Sequence, residues 1–197
     1  MGQIIAFTNL TLDGVMQAPG RLQEDTRDGF AHGGWAAPFA AMQEAGNVLA
    51  NMGAVLFGRW TYEAFYDYWP HQHDSPFRDF FNHIEKYVVS TTLRAPLPWS
   101  NATLLQGDLA ASIGELKARQ DKDIVIFGSG ELIQSLMRDD LVDKYVLLIH
   151  PLVLGCGRRL FTDGGAPASL CLLDSKTTST GVVIASYEPA DRNARVA

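Results

Sequence analysis

The stretch Ile124-Val125-Ile126-Phe127-Gly128-Ser129-Gly130-Glu131-Leu132 carries four apolar residues into a Gly-Ser-Gly turn and on into an amphipathic segment. An unbroken apolar run is the pattern of a strand buried on both faces, which belongs in the middle of a parallel sheet. The segment that follows places Leu132, Ile133, Leu136 and Met137 on one helical face. Its N-terminus presents free N–H groups and a positive dipole end to the turn, where open α/β sheets hold ligand phosphates. Two other apolar runs stop at glycine: Ala54-Val55-Leu56-Phe57 before Gly58-Arg59-Trp60-Thr61-Tyr62-Glu63, and Leu152-Val153-Leu154 before Gly155-Cys156-Gly157. Two strand-to-helix junctions of this kind in one domain predict a dinucleotide site. Ile133 stands where a G-x-G-x-x-G motif has its last glycine, so a Rossmann fold is not predicted.

The chain has 197 residues, 47% of them hydrophobic, enough for one domain that buries its core without staples. Sixteen basic against 22 acidic residues leave a formal charge of −6, which argues against a nucleic-acid or anionic-membrane partner. Cys156 and Cys171 form no CxxC pair, and this thin usage reads as a reduced, cytoplasmic setting. The N-terminal run to Phe7 is broken too soon by Thr8-Asn9 to be a signal peptide and reads as a first strand. Ala6 occupies the place where a myristoylation motif needs Ser or Thr, and no apolar stretch approaches the roughly 18 residues of a membrane span. The sequon Asn101-Ala102-Thr103 reads as chance.

Strands alternate with helices almost to the end. Thr11 to Pro38 is rich in Gly, Asp, Gln and Pro and reads as a lid loop. Pro38 is expected to open a helix with Phe39, Met42, Ala45, Val48, Leu49 and Met52 on one face, leading into the strand at Ala54. A short helix at Thr61 to Tyr66, a loop from Asp67 to Ser75 and a helix at Phe77 to His83 follow. Further on come a strand at Lys86 to Ser90, a helix from the cap Asp108 to Arg119, and a strand at Lys144 to His150. Leu170 to Leu173 and Val182 to Tyr187 form two strands with no helix between them, an antiparallel finish on a mostly parallel sheet. The domain is expected to span residues 1–188, with 189–197 a disordered polar tail.

The ordered set Thr11-Leu12-Asp13-Gly14, Gly58-Arg59-Trp60-Thr61-Tyr62-Glu63, Val88-Val89-Ser90, Gly128-Ser129-Gly130, Leu141-Val142-Asp143, and Pro151-Leu152-Val153-Leu154-Gly155 through Leu160-Phe161 spans nearly the whole chain. It resembles the dihydrofolate reductase-like fold, and within it the family that includes the reductase domain of the bifunctional riboflavin-biosynthesis deaminase-reductase. The resemblance implies a single α/β domain with a central mixed, mostly parallel sheet flanked by helices, and NADPH as cofactor. Gly58, Arg59 and Thr61 match the turn that meets the pyrophosphate and adenosine phosphate, with Trp60 where a basic residue is often found. Arg suits a phosphate because its fork of donors engages two oxygens at once. Ser90, Thr91 and Thr92 match the hydroxyl-bearing segment beside the adenosine ribose, with Arg94 nearby. Gly128, Ser129, Gly130, Glu131 and Leu132 match the second phosphate turn. Asp13 matches the D-G element near the nicotinamide and is the candidate for catalysis and substrate positioning, with Thr8 and Asn9 close by. Trp35 and Trp69 are candidate floors of an aromatic substrate pocket.

The implied activity is hydride transfer from NADPH to a C=N or C=O of a small heterocycle, a pteridine or a flavin-precursor pyrimidine. The rival reading is a protein that holds a nucleotide or pterin without turnover. Folate itself is disfavoured, because the turn after the lid, Pro38-Phe39-Ala40-Ala41-Met42, carries no carboxylate to grip a pterin and the nearest acid is Glu44. No zinc-deaminase H-x-E with P-C-x-x-C is present, and His71 and His73 lack a third ligand, so no metal is predicted. The apolar terminal strands and the resemblance together predict a homodimer.

Overall fold

The computed structural model describes residues 1–41, 46, 50–73 and 75–190. Its strands are β1 (Ile4–Thr11), β2 (Met52–Gly58), β3 (Glu85–Val89), β4 (Ala102–Leu105), β5 (Asp123–Phe127), β6 (Lys144–His150), β7 (Leu170–Thr177) and β8 (Val183–Pro189). Among the described residues these eight form one sheet in the order β4-β3-β2-β5-β1-β6-β8-β7. Every pairing from β4 across to β6 is parallel, and β6 with β8 and β8 with β7 are antiparallel. This is the expected mixed sheet with an antiparallel finish.

Alternate residues of the central strands feed two cores. Ile4, Ala6, Leu56, Ile124 and Ile126 face α3 (Leu109–Arg119) and α4 (Gly130–Arg138), packing on Ile113, Leu116, Ile133 and Leu136. Ile5, Phe7, Val55, Phe57 and Val125 face α1 (Arg59–Tyr68) and α2 (Pro76–His83), packing on Tyr62 and Phe81. Both faces are covered, which explains why the strands read as continuous apolar runs. The Asp108 side chain caps α3 by accepting from the Ala111 amide at 2.9 Å, as its sequence position predicts.

Local expectations fail where tertiary packing takes over. The loop expected from Asp67 is instead the last turn of α1 and a 3-10 turn at Trp69–His71, because Phe65, Trp69 and Phe81 pack ring against ring. Of the helix expected from Pro38, the described beginning is a 3-10 turn at Ala37–Phe39 with Ala40 at φ 48°; Met42, Glu44, Ala45, Val48 and Leu49 lie outside the described residues, and Met52 opens β2. Strand β4 was not foreseen, since four half-exposed residues carry no period. Ala190 N donates to Ser169 O at 2.9 Å, so ladder contacts run to residue 190, and 191–197 lie outside the described residues.

The expected lid is a packed segment with a small core of its own, Val15, Ala18, Phe30 and Trp35, closed by Leu152 and Leu154. Trp35 Nε1 donates to Gln17 O at 2.7 Å, and Gln17 Oε1 accepts from Arg158 N at 3.0 Å, so the segment is bonded to the chain that follows β6. Polar side chains and glycines in sequence thus conceal a folded unit.

Asp143 ties the sheet at its other end. Its Oδ2 accepts from Ile4 N at 2.7 Å and its two oxygens take the Lys117 ammonium at 2.7 and 2.8 Å, joining β1, β6 and α3. Removing it strands a part-buried ammonium and an amide. Asp143→Ala is expected to lower unfolding stability by about 2 kcal/mol in urea titration with the m-value unchanged.

Candidate functional site

A cleft of about 1230 Å³ opens at the carboxyl ends of β1, β2, β3 and β5. Adjacent strands β2 and β5 send their following helices to opposite faces, α1 to one and α4 to the other, which leaves a crevice at the sheet edge between the two helix N-termini. All eleven residues predicted to hold a cofactor line it: Gly58, Arg59, Thr61, Ser90, Thr91, Thr92, Gly128, Ser129, Gly130, Glu131 and Leu132. The amides in the first turns of α1 and α4 have no intrahelical acceptor and supply donors there.

The Gly-Ser-Gly turn works differently from its simplest reading. The left-handed residues are Gly128 at φ 55° and Ser129 at φ 57°, whereas Gly130 starts the helix with ordinary backbone. A Cβ on Gly130 would lie 2.6 Å from Met16 Sδ, so glycine there makes room for the lid. Ser129 Oγ accepts from Gly58 N at 3.0 Å and donates to Phe127 O at 3.3 Å. It therefore ties one phosphate-type turn to the other and uses the Gly58 amide that a ligand would otherwise find.

Other predicted contacts divide by geometry. Ser90 Oγ accepts from the amides of Thr92 and Leu93 at 3.1 and 3.0 Å and lies 3.3 Å from Thr92 Oγ1, so Ser90 shapes the turn on which the exposed Thr91 and Thr92 sit. Arg94 is exposed and does not line the cleft. Arg59 and, from the lid, Arg27 each lie 4.4 Å from the Trp60 ring centroid, so this tryptophan gathers two guanidinium groups where the family often has a basic residue. Arg21, Arg158 and Arg159 also line the cleft, among the acids Glu24, Asp25, Glu131 and Asp163, and Asp25 takes Arg27 through Nε at 2.8 Å. Glu131, in the first turn of α4, is met by Arg158 Nη1 at 2.9 Å, while the same guanidinium holds Asp28 of the lid at 3.0 Å.

Of the three substrate-side candidates, the structure brings only Trp69 to the cleft wall. Trp35 is buried behind it, bonded to Gln17. Asp13 holds a turn: Thr11 Oγ1 donates to it at 2.6 Å, the amides of Gly155 and Leu154 at 2.8 and 3.2 Å, and Arg159 lies 3.6 Å away. The Thr11 hydroxyl first, and then those amides, hold its carboxyl down to about 2. Glu24 behaves in the opposite sense. It lines the cleft, and burial raises its carboxyl from its ordinary value although Gly20 N and Arg21 N both donate to it.

The cleft also gathers buried polar groups at the end of β1 and β6. Thr8, named in sequence beside Asn9, is 2% exposed with its Oγ1 unpartnered among the described residues, and His150, which sequence reasoning passed over, is 1% exposed. His150 Nε2 lies 2.9 Å from Asn9 Oδ1, and the rings of Trp35 and Phe39 meet the imidazole edge to face. A polar residue closing an otherwise apolar strand was the available signal.

Burial holds the His150 imidazole down to about 4, against about 6.5 in an unfolded chain. The folded state is then neutral where the unfolded state takes up a proton, so stability is complete above about pH 6.5 and falls as the pH drops toward 4. The loss at pH 4 is about 3 kcal/mol at most. Urea titrations across this range are expected to show a steeper decline for the native protein than for His150→Gln.

Comparison with known proteins agrees with this geometry. The profile of the RibD C-terminal domain matches residues 3–184. The uncharacterized protein YyaP of Bacillus subtilis (strain 168) is 29% identical over 143 residues, 71% of this chain and 75% of that protein. A candidate riboflavin biosynthesis protein of Shewanella sp. PV-4 superposes with a TM-score of 0.68 at 22% identity, covering 95% of this chain and 99% of the other. Dihydrofolate reductase from Enterococcus faecalis, solved with NADP(H), superposes with a TM-score of 0.59 at 10% identity over 96% of this chain and 98% of its own. The fold is dihydrofolate reductase-like, and the chain belongs to the RibD C-terminal domain family.

Proposed function

We infer that this protein is an NADPH-dependent reductase that transfers a hydride to a C=N or C=O of a small pteridine-like or pyrimidine flavin-precursor-like heterocycle. The observation that carries the reading is the convergence of two helix N-termini, Arg59 on the Trp60 ring and the Thr91–Thr92 segment on one cleft. That donor set suits a molecule with a pyrophosphate at its middle and a further phosphate at one end. When bound, NADPH supplies the hydride; the protein binds, orients and excludes water.

The first turns of α1 and α4 take the pyrophosphate, and Arg59 with Thr91 and Thr92 takes the 2′-phosphate. Arg158 offsets the Glu131 carboxylate, which would otherwise repel an anion at that helix end. The heterocycle lies over Phe7 and Phe127, whose rings are 5.5 Å apart, against Phe65 and Trp69. Glu24 is the cleft acid whose carboxyl burial pushes upward, whereas Asp13 acts as a positioning residue for the Gly155 turn. No acid lies in the described part of the turn after the lid, so dihydrofolate is a poor substrate. The two free, exposed cysteines accord with action in the reducing cytoplasm.

Calorimetric titration is expected to give NADPH at least a tenfold advantage over NADH, about the value of one charge-assisted hydrogen bond, and Arg59→Ala should narrow it. Equal affinities would remove the 2′-phosphate assignment. NADPH oxidation with a panel of pteridines and pyrimidines, dihydrofolate included, tests turnover. Tight NADPH binding with no oxidation by any member would leave a nucleotide-binding protein without catalysis.

The protein works as a two-fold homodimer in this reading. The edge strand β7 leaves Leu172 and Leu173 half-exposed, 56% and 50%, an apolar edge that a second copy would cover. Light scattering is expected to return twice the 21.6 kDa chain mass at micromolar concentration, and a monomer would reject the pairing.

A further inference from the structure

Asn9 and His150 stand on the sheet face that carries Phe7, with β1 and β6 paired so that Thr11 is level with His150. The imidazole is enclosed: Trp35 and Phe39 lie 5.2 and 5.1 Å away, edge to face, and the residue is 1% exposed. Only two arrangements of the pair are self-consistent. Either His150 Nε2–H donates to Asn9 Oδ1 and Nδ1 is a bare lone pair, or the amide is turned over, its N–H donates to Nε2, and Nδ1 carries a hydrogen. Nδ1 is buried and has no partner among the described residues. A stranded N–H donor in an apolar enclosure is rarer and costlier than an unused lone pair, so the first arrangement holds.

The consequence falls on the other end of the amide. With Oδ1 engaged by His150, the Asn9 amide nitrogen keeps two hydrogens and has no acceptor among the described residues, while Asn9 is half-buried and lines the cleft. We propose that Asn9, oriented from behind by His150, is the specificity-determining donor of the substrate pocket and selects a heterocycle presenting a ring carbonyl oxygen at that point. The assignment rests on the reductase reading above for its substrate class. A donor without an acceptor function discriminates by sign: in one and the same pose it bonds an oxo group, meets a C–H where the ring lacks that group, and meets a ring N–H donor to donor. His150 is a positioning residue, because it acts through Asn9.

The probes are lumazine, which is pteridine with two oxo groups, and unsubstituted pteridine, which has the same ring system without them. Binding is read by quenching of tryptophan fluorescence, with and without NADP+. Asn9→Leu keeps the shape and removes the amide; it is expected to weaken lumazine about tenfold and to leave pteridine and NADPH within about twofold. His150→Phe should give a similar selective loss, and His150→Gln, whose amide N–H can replace Nε2–H, should restore most of it. A merely structural role would weaken both probes and NADPH together. Nitrogen-15 spectra of the imidazole, taken without any ligand, are expected to show the Nε2–H tautomer.

An Nδ1–H tautomer, an equal loss for both probes, or no loss of lumazine in Asn9→Leu would each overturn the proposal. So would a native protein that binds NADPH and neither probe. A protein that binds no NADPH defeats the reductase reading, and the tautomer then supports or overturns the donor by itself.

Discussion

The hydrogen bond from Gly58 N–H to Ser129 Oγ joins the two junctions on which the cleft depends. Ser129 adopts a left-handed conformation, φ 57° and ψ 51°, that costs a residue with a Cβ about 1–2 kcal/mol. Its hydroxyl offsets that cost by closing on the amide of the neighbouring strand and on the Phe127 carbonyl. With β2 and β5 held in this way, α1 departs to one face and α4 to the other, and the sheet edge between them stays open.

The segment from Leu12 to Ala41 closes the opening from one side. Its attachment is graded. Trp35 on Gln17, and Gln17 on the Arg158 amide, form a largely buried chain of bonds that orders the segment. The Arg158 guanidinium adds bonds to Asp28 and Glu131 at the surface, where ion pairs contribute about 0–1 kcal/mol each and are screened by salt. The inner contacts therefore fix the segment, and the outer ones bring a lid acid and a helix-end acid to one cation.

Charge inside the cleft is set by neighbours more than by residue type. Asp13, Glu24 and Glu131 are all carboxylates near the opening, yet hydrogen bonds hold the first ionised, burial works against ionisation of the second, and an arginine covers the third. His150 is neutral because the aromatic rings around it exclude water. These four environments come from chain segments far apart in sequence.

The apolar runs before Gly58 and Gly128, the amphipathic segment after Gly130 and the cap at Asp108 are local patterns with a definite period or end signal. From these the sequence by itself determined the order of the helices and of every strand but β4, the parallel core with its antiparallel finish, and the strand-end and helix-start residues that line the cleft, because strand-end glycines and helix starts are encoded within a few neighbours. What Asp13, Ser129, Trp35, Asn9 and His150 do was decided only by the tertiary structure. Asp13 meets Leu154 and Gly155, Ser129 meets Gly58, Trp35 meets Gln17, and His150 meets Asn9 across gaps of 18 to 142 residues in the chain. Hydrogen-bond partners at that separation leave no periodic trace, and packing alone settles which polar groups are consumed in holding the fold and which remain free to meet a ligand.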